Sequence, residues 1–369
     1  MTEQPQPDSD QQGSPRRRVR VAIVFGGRSG EHSISAATAA GVMRSIDREA
    51  YDVLPVGITR EGRWVLPGGD ASQWELGGSR LPEVTTEAGR EIDSLAEAGP
   101  VDVVFPVLHG PYGEDGTIQG LLELAGVPYV GSGVLASAVG MDKQYMKLVF
   151  AGHGLPVAPY VVIRPGDWER RQAEVVEQVA STLRLPVFVK PARAGSSLGV
   201  TRVDDLADLA DAVEEARFHD PKVLVEQGVE GREIECAVLG GRAGDPPRAS
   251  VPGEIVVDPD AARFYDFENK YLPDSHARTE APADLPDDVA ERVREIAVAA
   301  FEAVSAEGLA RVDSFVTPEG EVLLNEINTM PGFTPISMYS KMWEASGLPY
   351  TDLVSELIEL ALERPTGLR

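Results

Sequence analysis

One stretch of the sequence, ARVDSFVTPEGEVLLNEINTMPGFTPIS at residues 310–337, constrains the chain more than any other. Two alternating segments, 311–316 and 322–328, flank the tetrad TPEG at 317–320, which has proline at its second position. Such a tetrad is typical of a tight turn. The stretch therefore predicts a β-hairpin.

The faces of this hairpin follow from the two-residue period of a strand. That period forms two groups of side chains: Arg311 with Asp313 and Phe315, and Leu324 with Glu326 and Asn328. A turn symmetric about Pro318 and Glu319 places Arg311 opposite Glu326, with Asp313 one diagonal step away on the same face. An odd-length loop or a bulge would shift this register.

The polar residues on this face suggest two interpretations. The carboxylates of Asp313 and Glu326 and the amide of Asn328 are hard oxygen ligands, suited to Mg²⁺ that holds nucleotide phosphates. Arg311 can stabilise negative charge that develops nearby. The alternative is a solvated hairpin face closed by surface ion pairs, because alternating polar residues are common in half-exposed strands. The loop MPGFT at 330–334 favours ligand binding, since its glycine lets a backbone N–H approach a ligand closely.

Composition excludes several classes of function. The 369 residues include 59 acidic and 34 basic side chains, for a net charge of −25, which repels the phosphate backbone of nucleic acids. The single cysteine, Cys236, excludes an internal disulfide framework and is expected to be a small buried residue. No apolar run is long enough to span a bilayer, and the polar N-terminus lacks the apolar core of a signal peptide. We expect a cytoplasmic protein that binds neither nucleic acid nor membrane.

The order of elements predicts an α/β protein of several domains. Residues 1–18 are polar and are expected to form a disordered tail. Alternating strands and helices predict a parallel-sheet domain at 19–139. A small α/β unit follows at 140–229, and 230–369 contains the antiparallel hairpin.

Two residues of the first domain directly follow buried strands. Glu31 lies just past Gly26-Gly27, and His109 begins a glycine-rich loop after the apolar run 101–108. Ligands of open parallel sheets bind at the carboxyl ends of strands, which makes both residues candidates. The alternatives are a helix-capping role for Glu31 and a structural role for His109.

A phosphate site is predicted in the middle of the chain. The strand 185–191 delivers Lys190 to the loop ARAGSSLGV at 192–200, and Lys143 opens a helix. Glycine N–H groups and serine hydroxyls can fold over phosphates, and lysine supplies a point charge. A plain hairpin with a surface lysine is the alternative. The irregular stretch 258–283 is read as a lid or as disorder, and its aromatic residues argue against disorder.

Seven motifs together resemble the ATP-grasp ligases, and most closely the D-alanine–D-alanine ligases. In order along the chain they are GGxSxEHxIS, HGxxGEDG, DKxxxK, KPxxxGSSxG, FYDxExKY, RVDxF and NEINTxPGFT, and the resemblance covers nearly everything from Val21 to about Leu362. The resemblance implies the ATP-grasp fold, with the antiparallel sheet in the C-terminal domain. It also implies that ATP phosphorylates the carboxylate of one D-alanine and that the amine of a second attacks the acyl phosphate. The product would be D-alanyl-D-alanine, for peptidoglycan precursors.

The resemblance also implies roles for individual residues. ATP, as co-substrate, would contact Lys143, Lys190, Ser196, Glu226, Val229, Glu233, Lys270, Asn325 and Glu326, with Glu233 at the ribose. Two Mg²⁺ or Mn²⁺ ions would be held by Asp313, Glu326 and Asn328. Glu31 would accept the ammonium of the first D-alanine, with His109 near its carboxylate. Ser337 would bind the carboxylate of the second D-alanine.

The remaining implied roles concern the reacting atoms and the assembly. Arg311 and the Gly332 N–H would stabilise the oxyanion, and Glu31, Ser196 and Tyr271 would form a network that closes the pocket. The family suggests a homodimer. A ligase that forms the D-alanyl-D-lactate ester and an inactive nucleotide-binding regulator are the rival functions. The intact ligand set and both lysines argue against the regulator.

Overall fold

The computed structural model describes residues 17–68, 71–75, 81–257 and 277–365. The predicted tail lies outside them except for its last two residues. Of the predicted lid, 258–276 lies outside as well, including Lys270 and Tyr271. At the end of that stretch the prediction of irregular structure is wrong, because Ala277–Glu280 forms a strand that pairs with its neighbour in the C-terminal sheet.

The first sheet has five strands in the order β4-β3-β2-β1-β5. They are β1 Val19–Gly26, β2 Tyr51–Ile58, β3 Trp64–Pro67, β4 Gly89–Ile92 and β5 Val103–Pro106. The predicted parallel sheet is confirmed for β1, β2 and β5, whereas β3 and β4 are antiparallel additions. Strand β1 is continuously apolar from Val21 to Phe25 because helices or strands cover both of its faces. The helices of this region are α1 His32–Ser45, α2 Thr117–Ala125 and α3 Val134–Met141.

The second sheet is antiparallel, with four strands in the order β6-β9-β7-β8. Its strands are β6 Tyr160–Ile163, β7 Val187–Pro191, β8 Thr201–Val203 and β9 Val223–Gln227. The helices are α4 Lys143–Gly152, α5 Asp167–Thr182 and α6 Leu209–His219. Asp142 caps α4, since its carboxylate accepts the N–H of Gln144 at 3.1 Å.

The third sheet is also antiparallel and has six strands, with β13-β12-β10-β14-β15 in order and β11 against β10. Its strands are β10 Arg232–Leu239, β11 Arg248–Ala249, β12 Gly253–Val257, β13 Ala277–Glu280, β14 Leu309–Val316 and β15 Val322–Asn328. The helices are α7 Asp287–Ala303, α8 Met338–Ala345 and α9 Tyr350–Glu363. The mixed sheets agree with the predicted fold class.

The two faces of the third sheet have different neighbours. Helix α7 covers the face that carries Ile234 and Cys236, so the predicted burial of the cysteine is confirmed. On the opposite face Ala237 and Leu239 join a core shared with α8, α9 and the first sheet. The first and third sheets therefore share an apolar core.

No helix within the described residues is both long and apolar enough to cross a membrane. The domain boundaries at 139/140 and 229/230 stay a prediction.

Candidate active site

The predicted hairpin is present, but its predicted register is wrong. Val316 pairs with Val322 across the odd-length loop 317–321, and the register shifts again between Asp313 and Ser314. As a result Asp313 lies opposite Glu326 and Arg311 lies opposite Asn328. The second shift is a β-bulge at Asn325, where two residues of one strand oppose one of the other.

The bulge also changes which side chains share a face. Leu324 is buried in the core under α7 with Ile327, so it does not share a face with Glu326 and Asn328 as predicted. Asn325 and Glu326 are both half-buried outside that core. The predicted group of Arg311 with Asp313 is confirmed, and Asn328 joins it by donating its amide N–H to Asp313 at 3.0 Å.

Arg311 is held by two carboxylates. Its Nε and Nη2 donate to the two oxygens of Asp313, each at 2.7 Å, and its Nε lies 3.2 Å from Oε2 of Glu235 on β10. Burial alone would lower the pKa of the guanidinium, but the charges of Asp313 and Glu235 raise it well above its ordinary value. Arg311 is therefore a fixed positive charge on the hairpin face.

A second buried charge cluster joins β7, β9 and α4. Glu226 forms an ion pair with Lys147, at 2.5 Å, and accepts a hydrogen bond from Lys190 at 2.7 Å. Burial alone would raise the pKa of Glu226, but the two lysines lower it. Burial lowers the pKa of Lys147, whereas the charge of Glu226 outweighs burial at Lys190 and raises its pKa. The carboxylate of Glu226 is thus paired with both lysines, and this pairing fixes the position of Lys190.

Lys143 connects the glycine–serine loop to the hairpin. Its ammonium donates to the carbonyl of Ala194 at 2.8 Å and lies 3.6 Å from the carboxylate of Glu326. At the base of the same loop, Arg193 makes paired bonds to Asp220 at 2.9 and 2.7 Å. Lys143 therefore lies between this loop and the hairpin, and the charge of Glu326 also acts on Lys190.

The glycine–serine loop also reaches the first sheet. The hydroxyl of Ser196 donates to the carboxylate of Glu31, which is 165 residues earlier in the chain. Ser196 and Ser197 have φ of +50° and +59°, a strained backbone region that side-chain-bearing residues rarely adopt. Glu31 precedes α1 and its side chain makes no cap bond, so the capping alternative is wrong.

The histidine at the end of β5 is buried and fully engaged. Nδ1 of His109 lies 3.0 Å from the carbonyl of Met330, and Nε2 lies 3.1 Å from the hydroxyl of Thr38. Burial lowers the pKa of His109, so the neutral ring donates from Nδ1 and accepts at Nε2. Burial together with the charge of Glu31 raises the pKa of nearby Glu114 to about 8.

The loop after the hairpin is fixed by Phe333. Its ring is fully buried, 5.7 Å from the ring of Phe105 and 5.2 Å from that of Tyr350. Half-buried Gly332 precedes it. Ser337, just before α8, accepts the N–H of Thr334 at 3.0 Å.

A small cavity of ≈ 30 Å³ lies where these pieces meet. It is lined by residues from all three regions, among them Gly110, Glu114, Lys143, Gly195, Glu326 and Asn328. Val229 follows β9, and the exposed side chain of Glu233 lies on β10. A larger cavity of ≈ 330 Å³ lies elsewhere, and no predicted site residue lines it.

The side chains on the hairpin face provide the oxygen ligands that a hard divalent cation prefers. Asp313 and Glu326 are paired across neighbouring strands, with Asn328 beside them. Within the part of the chain that the structure describes, no cluster of three or more His, Cys, Asp or Glu side chains is arranged around a metal position. The arrangement supplies two carboxylates and an amide.

Three charged residues of the site were not assigned a role from the sequence. Glu235 shares the strand face of Glu233, Lys147 ends the DKxxxK motif, and Glu114 lies in the HGxxGEDG loop. Each of them is a charged residue inside a strongly apolar or glycine-rich segment, and this could have marked it as functional. Their partners, however, are distant in sequence, so the ion pairs could not be derived from the sequence alone.

Comparison with known proteins agrees with this geometry. The family model "D-ala D-ala ligase N-terminus" matches residues 20–132, and "D-ala D-ala ligase C-terminus" matches residues 149–359. A D-alanine–D-alanine ligase of Pseudarthrobacter chlorophenolicus is 56% identical over 370 residues, which cover 96% of this chain and 97% of the relative. One from Arthrobacter sp. is 57% identical over 368 residues, 95% of this chain and 96% of the relative.

Solved structures are similar over the same length. The D-alanine–D-alanine ligase of Coxiella burnetii has a TM-score of 0.76 at 37% identity, with 94% of each chain covered. A D-Ala:D-Ser ligase of Enterococcus faecalis has a TM-score of 0.78 at 34% identity, covering 94% of this chain and 100% of the other.

The three sheets around a cleft lined by lysines and carboxylates have the ATP-grasp fold, and they define the chain as a ligase. Both halves of the chain match one family over nearly their whole length. The chain belongs to the D-alanine–D-alanine ligase family.

Proposed function

We propose that this chain joins two D-alanine molecules into D-alanyl-D-alanine, with conversion of ATP to ADP and phosphate, for peptidoglycan precursors. The contact between Ser196 and Glu31 carries the proposal, because it joins the loop beside the phosphate lysines to the predicted amino-acid site. A nucleotide-binding protein without a second substrate would not require this connection. The family membership supports the same reaction.

The nucleotide would lie between the second and third sheets. Lys143 and Lys190 would bind its phosphates under the glycine–serine loop, with Ser196 and Lys270 completing the set. Because the carboxylate of Glu226 is paired with lysines, the adenine would be bound through the backbone of 226–229. Exposed Glu233 would accept the ribose hydroxyls, and Asn325 lies beside Glu326 at the phosphate end. Such a site works by positioning and charge stabilisation.

Asp313, Glu326 and Asn328 would hold Mg²⁺ or Mn²⁺, with two ions as the proposed number. When bound, such ions neutralise charge on the phosphate oxygens. Both oxygens of Asp313 accept bonds from Arg311, so a metal ion on Asp313 would compete with Arg311 for the charge of this carboxylate. The carboxylate of Glu326 lies 3.6 Å from the ammonium of Lys143, so the proposed metal ligand and the proposed phosphate lysine would act on the same phosphates.

The amino-acid substrates would bind between the first sheet and the hairpin. Glu31 would accept the ammonium of the first D-alanine, and Ser337 would bind the carboxylate of the second. Arg311 and the Gly332 N–H would stabilise the oxyanion of the tetrahedral intermediate. Both ring nitrogens of His109 are engaged, so we propose that it fixes the Met330 carbonyl near the first substrate. Tyr271 would complete the network of Glu31 and Ser196.

Release of phosphate tests this proposal. Purified protein with ATP and Mg²⁺ is expected to release phosphate when D-alanine is added and to remain at background with L-alanine. Phosphate release that is independent of any amino acid would contradict the ligase assignment. Equal rates with both enantiomers would contradict the substrate assignment.

A homodimer and a cytoplasmic location, where ATP is available, are further parts of the proposal. Helices α2 and α3 each expose a large apolar side chain, with Leu124 91% and Leu135 67% exposed. Large exposed apolar side chains are candidates for a protein interface. Sedimentation of the wild type and of Leu124→Glu tests it: a dimer that the substitution dissociates supports this interface, and a wild-type monomer contradicts it.

A further inference from the structure

Glu235 is a buried carboxylate whose surroundings require a charged partner. It is 4% exposed and lies on β10 directly opposite Asp313 of β14. Further along the same face, Ala237 and Leu239 enter an apolar core. An ionised carboxylate at the edge of such a core is costly unless a cation pairs with it. Arg311, at 3.2 Å, supplies that charge.

Arg311 contacts two carboxylates, Asp313 and Glu235, and only Asp313 is a predicted metal ligand. Both oxygens of Asp313 are bonded to it, and Asp313 also lies opposite Glu326 in the predicted metal set. A cation bound to Asp313 competes with the guanidinium for the charge of that carboxylate and weakens its bonds to Arg311. A second carboxylate then helps to hold Arg311 in place. Glu235 is in position for this, because its Oε2 lies 3.2 Å from the same Nε that bonds to Asp313.

We propose that Glu235 is a positioning residue that keeps Arg311 in the cleft when a metal ion on Asp313 competes for that carboxylate. The inference rests on the proposed function, because it assumes that Asp313 is a metal ligand and that Arg311 stabilises the oxyanion. Glu235 touches neither substrate nor metal in this account. It sets the direction of Arg311, whose five N–H donors allow it to bond to Glu235 and still face the reacting atoms.

The substitution Glu235→Gln removes the charge and preserves the shape. Of the two carboxylates only Asp313 then remains ionised, so Arg311 keeps its bonds to Asp313 and competes with the metal ion for it. We expect Mn²⁺ to bind the ADP complex at least ~10-fold more weakly, and kcat to fall by at least ~10-fold. Each change corresponds to the loss of about one charge-assisted interaction. The KM of ATP is expected to stay within about twofold, because Glu235 is not among the nucleotide contacts.

Glu254 provides a matched control. It is also a buried glutamate of the third sheet, bonded to Arg232 at 2.8 and 2.5 Å. It pairs with Ile234 of β10, so it points to the other face of the sheet. Glu254→Gln loses a comparable ion pair, and any loss of stability should be similar. Its Mn²⁺ affinity and kcat are expected to match the wild type.

The experiment measures Mn²⁺ binding to the ADP complex by electron paramagnetic resonance, and kcat, for each variant. Unfolding in urea gives the folded fraction, to which both quantities are normalised. The same substitution is then made in an Arg311→Met background. An effect that acts through Arg311 disappears there, whereas a through-space effect of the lost charge remains. Glu235→Asp, which keeps the charge, is expected to retain Mn²⁺ binding and to give an intermediate kcat, and it replaces Glu235→Gln if that variant does not fold.

The proposal is supported if Glu235→Gln weakens Mn²⁺ binding and kcat, Glu254→Gln does not, and Arg311→Met abolishes the difference. It is overturned if Glu235→Gln matches the wild type, or if its effect persists with Arg311→Met. A wild type without D-alanine-dependent turnover would instead refute the proposed function. The two failures are therefore distinguishable.

Discussion

The charge cluster of Glu226 gives the sharpest prediction for both stability and nucleotide binding. Glu226→Gln leaves two buried ammonium groups, Lys147 and Lys190, without their shared carboxylate. Lys190 retains the charges of Glu326 and Glu233 nearby. Lys147 retains the carbonyl of Asn325 at 3.1 Å as an acceptor. The cost is therefore mainly that of one buried, poorly paired lysine.

Removal of one partner from a buried ion pair destabilises a protein by ~3–5 kcal/mol. We expect Glu226→Gln to lose about that much free energy of unfolding. Lys147→Met removes an ammonium whose pKa burial already lowers, and it leaves Glu226 paired with Lys190. Its cost is expected to be smaller, about 1–3 kcal/mol, comparable to lost hydrogen bonds to a charged group.

Urea unfolding of the two single variants and the double variant measures these costs. The double variant is expected to lose less than the sum, because the second substitution removes the lysine that the first leaves unpaired. The KM of ATP should rise ~10-fold or more in Glu226→Gln, since Lys190 loses its anchor. Strictly additive costs, or an unchanged KM of ATP, would refute the coupling of this cluster to the nucleotide site.

Three further predictions concern individual carboxylates and a hydroxyl. Glu326→Gln is expected to lose nearly all turnover and keep its fold, because one charged metal ligand is lost; near-wild-type phosphate release at saturating Mg²⁺ would show that the metal assignment is wrong. Ser196→Ala should raise the KM of D-alanine ~10-fold and change the free energy of unfolding by less than ~1.5 kcal/mol, because it removes one bond to Glu31; initial rates against D-alanine concentration check this, and an unchanged KM speaks against the network. Because burial and the charge of Glu31 raise the pKa of Glu114 from 4.5 to about 8, the wild type should lose stability as pH rises through this interval. Thermal unfolding at about pH 5 and about pH 9 should show this loss in the wild type and not in Glu114→Gln; an equal loss in both would exclude Glu114 as its cause.

The hairpin shows how far sequence reasoning reaches. Its turn and the shared face of Arg311 and Asp313 follow from local chemistry and the two-residue period. The bulge at Asn325 does not, because groups distant in sequence stabilise it. Lys147 of α4 bonds to the Asn325 carbonyl, and Leu324 donates its N–H to Pro156 at 2.8 Å. A register fixed by such contacts cannot be derived from the strand sequence alone.

The first sheet and the cleft show the same limit. The apolar run of β1 predicts a buried parallel strand, whereas the short β3 and β4 contain no signal of their direction. The contact of Ser196 with Glu31 joins two loops on different sheets, and only the family resemblance pointed to it. The contact of Arg311 with Glu235 requires that β10 lies beside β14, and this pairing cannot be derived from the sequence of either strand.

The identity of the second substrate tests the central claim most directly, since one structural relative is a D-Ala:D-Ser ligase. The protein is given ATP, Mg²⁺ and equal concentrations of D-alanine, D-serine and D-lactate near neutral pH, and the products are identified by mass. Tyr271, which we propose to complete the network of Glu31 and Ser196, is neutral near pH 7 and therefore does not repel the ammonium form of D-alanine. We expect D-alanyl-D-alanine as the main product. A predominance of D-alanyl-D-serine or of the D-lactate ester would contradict the account.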